Sequence, residues 1–144
     1  MQGPLRKVFH ATLFELIAIV VVTLGLQLVS DKSAEQSGGL ALTTSLMALG
    51  WNMLFNTLFE RWERQQASRE RTVRRRMAHA VLFEAGLVVT TVPLIAWWLD
   101  MGWWEAVLTD LGLVGFFLVY GFGFNWVFDH VFGLPDSART AQAK

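Results

Sequence analysis

The chain has 144 residues, of which 53% are hydrophobic and 13% aromatic, and its formal net charge is zero. The apolar residues form long runs, whereas a soluble domain of this length would interleave them with polar faces. The sequence contains no cysteine, which excludes disulfides, thiolate metal ligands and cysteine nucleophiles. These features predict an integral membrane protein.

Four apolar segments are each about as long as the 20 helical residues that cross a bilayer. They extend from Lys7 to Val29, from Leu40 to Phe59, from Met77 to Leu99 and from Val107 to Phe128. The first is too long for the apolar region of a signal peptide, and no cleavage motif follows it, so we expect it to be retained. Because lipid offers the backbone no hydrogen-bond partners, all four segments are predicted to be transmembrane α-helices.

Basic residues are distributed unevenly between the connections. The connection between the second and third segments contains seven arginines: Arg61, Arg64, Arg69, Arg71, Arg74, Arg75 and Arg76. The two other connections contain Lys32 and five acids: Asp31, Glu35, Asp100, Glu105 and Asp110. The positive-inside rule therefore predicts that both termini and the arginine-rich connection are cytoplasmic. This role as a topology determinant is favoured over nucleic-acid binding.

The sequence aligns with itself at one constant offset, which places His10 on His79. Residues 6–15 (RKVFHATLFE) align with 75–84 (RRMAHAVLFE), and residues 51–60 (WNMLFNTLFE) align with 120–129 (YGFGFNWVFD). One offset that serves both helices of a unit indicates a duplication. Since each unit crosses the membrane twice, both copies enter it in the same direction. The predicted fold is an all-α membrane protein of two parallel tandem two-helix repeats, residues 1–66 and 67–144.

Each repeat contains one glutamate within its first helix, Glu15 and Glu84. Glu15 lies nine residues beyond Arg6, which is about 13 Å along a helix and near the middle of the bilayer if Arg6 marks the interface. Since an ionised, unpaired carboxylate at that depth costs several kcal/mol, Glu15 is expected to face the bundle interior and to exchange protons. The alternative is a neutral side chain that donates a hydrogen bond between helices. For Glu84, proton exchange and this packing role are both open.

His10 lies five residues before Glu15. It could relay protons between Glu15 and the cytoplasm, or it could donate to a carbonyl or carboxylate near the interface. The histidines and glutamates lack the i, i+4 spacing of metal ligands on a helix, so neither a metal site nor another cofactor is predicted. No phosphate-binding glycine loop or nucleophile elbow occurs, and the chain is predicted not to be an enzyme.

Further candidate residues lie on the second and fourth helices. Asn52 and Asn56 repeat every four residues on the second helix and form a polar stripe. Asn56 and its repeat counterpart Asn125 are expected to form hydrogen bonds between helices. Four aromatic side chains are expected to form walls that suit a flat, apolar cation: Phe14, Trp51, Phe55 and Tyr120. For Trp51, an apolar packing role is an open alternative.

The motif R-x-x-x-H-A-x-x-F-E at Arg6–Glu15, its copy at Arg75–Glu84, and W-N-x-x-x-N-x-x-F-E at Trp51–Glu60 resemble one family closely. By these motifs the chain is identified as a member of the proteobacterial antimicrobial compound efflux family, whose paired units are called bacterial transmembrane pair domains. The resemblance implies an inner-membrane transporter that exports biocides such as chlorhexidine and cationic dyes, or in some members short diamines, driven by proton influx. The family's proton-coupling carboxylate matches Glu15 by motif.

We therefore predict a proton-coupled exporter in which a lipophilic cation and a proton compete for Glu15. Its partners are the cationic substrate, protons and the lipid bilayer. A homodimer is expected because four helices make a thin wall for a transport pathway. Two other hypotheses stay open at this point. One is a non-transporting assembly or helper protein in which the glutamates only lock helices together, and the other is a small ion channel.

Overall fold

In a computed structural model, residues 4–68 and 70–133 are described, and they form four α-helices and no strand. The helices are α1 (Pro4–Val29), α2 (Ala34–Arg64), α3 (Val73–Leu99) and α4 (Trp103–Phe132). The predicted all-α fold with four helices is confirmed. Three of them, α1, α3 and α4, are long and apolar enough to cross a membrane.

The second helix, α2, is less apolar than the other three. At 31 residues it is long enough to cross a bilayer. It packs against both α1 and α3, so it lies between two apolar helices. Three of its polar side chains, Thr44, Ser45 and Asn52, line a cavity inside the bundle. The helix α2 therefore contributes polar side chains to the cavity.

Local side-chain contacts determine where the helices begin and end. The Ser33 hydroxyl accepts a hydrogen bond from the Gln36 backbone N–H, and the Gln36 side chain accepts one from the Ser33 N–H. This capping box starts α2. Thr72 caps α3 in a similar way. Asp100, with φ 52°, ends α3 in the left-handed conformation. The resulting connections of three or four residues make α1 antiparallel to α2, and α3 antiparallel to α4.

The four helices form a closed ring, because α1 contacts both α2 and α4, and α3 contacts the same two helices. At one end, which we call the core end, buried apolar side chains from all four helices pack together: Val22, Leu26, Leu40, Ala41, Val92, Ile95, Leu99 and Ala106. The opposite end contains the repeated sequence motifs, and we call it the motif end. It is formed by the first turns of α1 and α3 and the last turns of α2 and α4.

At the motif end, two equivalent hydrogen bonds join the two repeats. His10 Nε2 lies 2.7 Å from Asn125 Oδ1, and His79 Nε2 lies 2.9 Å from Asn56 Oδ1. Since an amide oxygen only accepts, each Nε2 donates. Each histidine on the first helix of one repeat therefore binds the asparagine on the second helix of the other repeat. The two pairs are equivalent under the internal repeat and hold α1 against α4 and α3 against α2.

The two repeats differ in how they use their first arginine. Arg6, only 8% exposed, donates to Asp129 Oδ1 at 2.6 Å and lies over the Phe128 ring at 5.1 Å. Its counterpart Arg75 instead lies over the Trp62 ring at 5.2 Å and donates to two carbonyl oxygens of the arginine-rich connection. The ion pair of Arg6 therefore ties the start of α1 to the end of α4, whereas Arg75 orders the connection between the repeats.

Candidate cation-binding cavity

A partly open cavity of about 510 Å³ lies between the four helices, between the motif end and the core end. Its volume is within the range of about 300–1,000 Å³ that is usual for small-molecule sites. All four helices contribute to its walls, and most of the lining side chains are aliphatic or aromatic. The polar lining residues are Glu15, Thr44, Ser45, Asn52, Glu84, Thr91 and Asp110. Among the described residues that line it, three are acidic and none is basic.

Both repeated glutamates line this cavity. Glu15 projects from α1 and Glu84 from α3, and both side chains are half-buried. Within residues 4–68 and 70–133, neither carboxylate has a hydrogen-bond donor or an ion-pair partner. Because a charge in an apolar cavity is costly without a counter-charge, each carboxyl group there is suited to take up a proton or a cation.

Two aromatic donors hold the backbone next to these glutamates. The Tyr120 hydroxyl donates to the carbonyl oxygen of Phe14 at 2.8 Å, and the Trp51 indole N–H donates to the carbonyl oxygen of Phe83 at 2.9 Å. Phe14 and Phe83 directly precede Glu15 and Glu84 in the sequence. The paired aromatic residues therefore fix the helix segments that present the two carboxylates to the cavity.

The contact of Trp51 depends on a glycine in α3. The Trp51 indole lies directly on Gly86, where an added Cβ would collide with the ring. In the other repeat, Ile17 occupies the position of Gly86 and the smaller Tyr120 occupies the position of Trp51. The larger indole and the missing side chain at Gly86 therefore compensate each other.

The third acid, Asp110, corrects an expectation from the sequence. It was assigned to an outer connection, but it lies inside α4, is only 6% exposed and lines the cavity. The Thr91 hydroxyl lies 2.7 Å from its Oδ1. Asp110 lies beyond Val107, inside the apolar run of the fourth segment. This position could have identified it, because an acid within a membrane segment is a candidate functional group.

The structure separates the other predicted site residues into two groups. Phe14 and Asn52 line the cavity with Glu15 and Glu84. The remaining five lie in the contacts between the repeats: His10, Phe55 and Asn56 toward the motif end, and Trp51 and Tyr120 beside the cavity. In the described part of the chain, no three His, Cys, Asp or Glu side chains are arranged to hold a metal ion.

Comparisons with known proteins agree with this architecture. The sequence model of the chlorhexidine efflux transporter family matches residues 2–65 and again residues 71–134. Three relatives are named short-chain diamines transporters. The relative from Acinetobacter baylyi is 37% identical over 126 residues, which cover 88% of this chain and 89% of the relative. The relative from Vibrio parahaemolyticus is 34% identical, with the same coverage of both chains.

The third relative, from Acinetobacter baumannii, is 36% identical over 88% of this chain and 87% of its own length. No solved structure matches the chain. The family and the relatives are named as transporters, which agrees with the prediction that the chain is not an enzyme. With two family matches that together cover most of its length, the chain belongs to the chlorhexidine efflux transporter family, the proteobacterial antimicrobial compound efflux family.

Proposed function

We propose that the chain is a proton-coupled exporter of small organic cations, in which Glu15 binds either the cation or a proton. The observation that supports this proposal is the cavity of about 510 Å³ whose described lining residues include three acids and no base. The names of the relatives, short-chain diamines transporters, and of the family, chlorhexidine efflux transporter, indicate that the cargo carries positive charge.

Because Glu15 would hold either a cation or a proton but not both, it would couple cation export to proton import. When the cavity faces the cytoplasm, ionised Glu15 binds a cation, because the pair is less costly to hold out of water than the lone carboxylate. After the bundle opens outward, a proton neutralises Glu15 and the cation loses its partner. The neutral carboxyl group then returns inward at little electrostatic cost. Exchange of one monovalent cation for one proton moves no net charge.

Phe14 and Asn52 would contact the bound cation from the cavity wall, since both line the cavity. Trp51 and Tyr120 would act by holding the backbone beside Glu84 and Glu15. We assign the histidines a comparable supporting role, because each binds an asparagine of the other repeat. A proton that leaves Glu15 toward the cytoplasm would pass His10, four residues before Phe14 on α1.

We place the protein in the bacterial inner membrane, with the motif end and both termini in the cytoplasm. The described arginines of the connection lie at that end, as the positive-inside rule requires. Because the chain contains no cysteine, single cysteines at Ala67 and Asp100 should be labelled from the cytoplasmic and the outer side respectively.

A homodimer is proposed as the transporting unit, and crosslinking in native membranes that yields only monomer would contradict it.

Uptake into proteoliposomes with an acidic interior tests the proposed function. The probe is a permanently charged cationic dye, because a weak base would accumulate in acidic vesicles without a transporter. We expect saturable uptake above that of protein-free liposomes, and loss of this uptake when nigericin collapses the pH gradient. Uptake that follows the membrane potential without saturation would instead indicate a channel. No uptake above protein-free liposomes would indicate a non-transporting protein.

A further inference from the structure

The cavity contains one acid that breaks the internal repeat. Asp110 of α4 and Thr91 of α3 are in direct contact, and both are buried in the cavity wall. Their counterparts in the first repeat are Ala41 and Val22, which are apolar and line the same cavity. The cavity therefore combines a symmetric pair of glutamates with a single additional carboxyl group, which the first repeat does not have.

Asp110 lies closer to the core end than the glutamates. Thr91, which touches Asp110, follows Glu84 by seven residues in α3, and this separation is about 10 Å along the helix. Glu15 is the repeat counterpart of Glu84, so it lies at the same depth. The cavity thus presents carboxyl groups at two levels, about two helical turns apart.

The hydrogen bonds of Thr91 bear on the charge of Asp110. The Thr91 hydroxyl lies 2.7 Å from Asp110 Oδ1 and 2.8 Å from the carbonyl oxygen of Leu87. A hydroxyl has one proton and can donate to only one of these acceptors at a time. When Asp110 is protonated, it donates to Thr91, and Thr91 donates to Leu87. When Asp110 is ionised, Thr91 turns to donate to it, and a further cation can approach its second oxygen from the cavity.

We propose that Asp110 is a second cation- and proton-binding group, which holds the far ammonium of a linear diamine while Glu15 holds the near one. This assignment rests on the proposed exchange at Glu15. The nitrogen atoms of an extended 1,4-diamine are about 6 Å apart, from three C–C and two C–N bonds of about 1.5 Å. With a charged hydrogen bond of about 2.8 Å at each end, such a molecule spans the distance between the two levels.

Two carboxyl groups also balance the charge of the exchange. Glu15 and Asp110 together take up either one dication or two protons, so the loaded and the protonated cavity carry the same charge. Among the described residues that line the cavity, the other titratable group is Glu84 on α3. Among the described lining residues of α2, the polar ones are Thr44, Ser45 and Asn52, and none of these titrates near neutral pH. Glu84 is therefore the competing candidate for the second acid.

Calorimetric titration of the full chain in detergent tests the assignment. Measurements in two buffers of different ionisation enthalpy, over a range of pH, give the number of protons displaced per bound amine. For the wild type we expect 1,4-diaminobutane to displace up to two protons and n-butylamine up to one. In Asp110→Asn, the diamine should displace one proton and bind about 10- to 100-fold more weakly, as expected for one lost charged hydrogen bond. Binding of n-butylamine, which needs only one carboxylate, should weaken much less than that of the diamine and should still displace up to one proton.

Four other results would contradict the assignment or the exchange on which it rests. Unchanged affinity and proton number in Asp110→Asn would exclude Asp110, and loss of the second proton in Glu84→Gln instead would assign its role to Glu84. Asp110→Glu provides a variant that keeps the charge if the asparagine variant does not fold. Its side chain is longer by one methylene, so the preferred diamine should become shorter by about one carbon, and an unchanged preference would contradict the proposal. If neither amine displaces protons from the wild type, the proposed exchange at Glu15 itself is wrong.

Discussion

Replacement of Glu15 by glutamine is expected to abolish gradient-driven cation uptake and to leave the folded bundle intact. Glutamine has nearly the same shape and can keep any hydrogen bond, but it can neither carry the charge that binds a cation nor release a proton. Loss of a buried charge partner costs about 2–5 kcal/mol, so cation affinity should fall by at least about 30-fold. The measurement is initial uptake into proteoliposomes at equal protein content.

Glu60→Gln is the matched control for this variant. Glu60 is an exposed carboxylate on α2 at the motif end, outside the cavity lining, so its loss should leave uptake near the wild-type rate. If Glu15→Gln retained wild-type uptake under the same pH gradient, Glu15 would not be the exchange site. If both variants lost uptake equally, the effect would reflect the surface charge of the motif end.

Replacement of Gly86 by alanine is expected to lower both stability and transport. The new Cβ would collide with the Trp51 indole, which must then move and release its hydrogen bond to Phe83. Overpacking typically costs about 1–3 kcal/mol, and the lost hydrogen bond adds about 1 kcal/mol. The thermal midpoint of unfolding in detergent should therefore fall by several degrees. Transport should fall as well, because the Phe83 carbonyl positions the segment that contains Glu84.

Gly112→Ala is the matched control, because a Cβ at Gly112 meets no other atom within 4 Å. Alanine there should leave the midpoint unchanged or raise it slightly, since alanine is the better helix former. The double variant Trp51→Tyr with Gly86→Ile reproduces the pair that the other repeat uses, Tyr120 and Ile17. It should recover most of the stability that Gly86→Ala loses. An unchanged midpoint in Gly86→Ala would show that the Trp51 contact is dispensable.

The sequence predicted the number of helices and their approximate positions, because apolar runs determine which segments enter the membrane. It predicted the ends of the helices less well. The segment from Leu40 to Phe59 is part of the longer α2 (Ala34–Arg64), and the fourth segment was expected to begin at Val107 although α4 begins at Trp103. Outside the bilayer, capping contacts such as those of Ser33 determine the helix end, and hydropathy does not detect them.

The spacing of Glu15 from Arg6 predicted a side chain inside the bundle, and the structure places it in the cavity wall. The sequence could not identify which helices the motifs join. The repeat offset shows which residues of the two repeats are equivalent, but it does not show which residues are in contact. The hydrogen bond between His10 of one repeat and Asn125 of the other is visible only in the structure. Asp110 is misassigned in the sequence analysis because it is counted with the acids of the preceding connection, although the predicted fourth segment already contains it. The division into units 1–66 and 67–144 stays a prediction.

The pH dependence of cation binding tests the central claim most directly. Quenching of the native tryptophans by a permanently charged monovalent cation would report its dissociation constant as a function of pH. If a proton and the cation exclude each other at Glu15, the dissociation constant should rise as the pH falls, by up to about tenfold for each pH unit once the free carboxyl group is mostly protonated. In Glu15→Gln the affinity should fall, and the part of the slope that comes from Glu15 should disappear. A wild-type dissociation constant that is the same at every pH, or an affinity and a slope that Glu15→Gln leaves unchanged, would contradict competition at this carboxyl group.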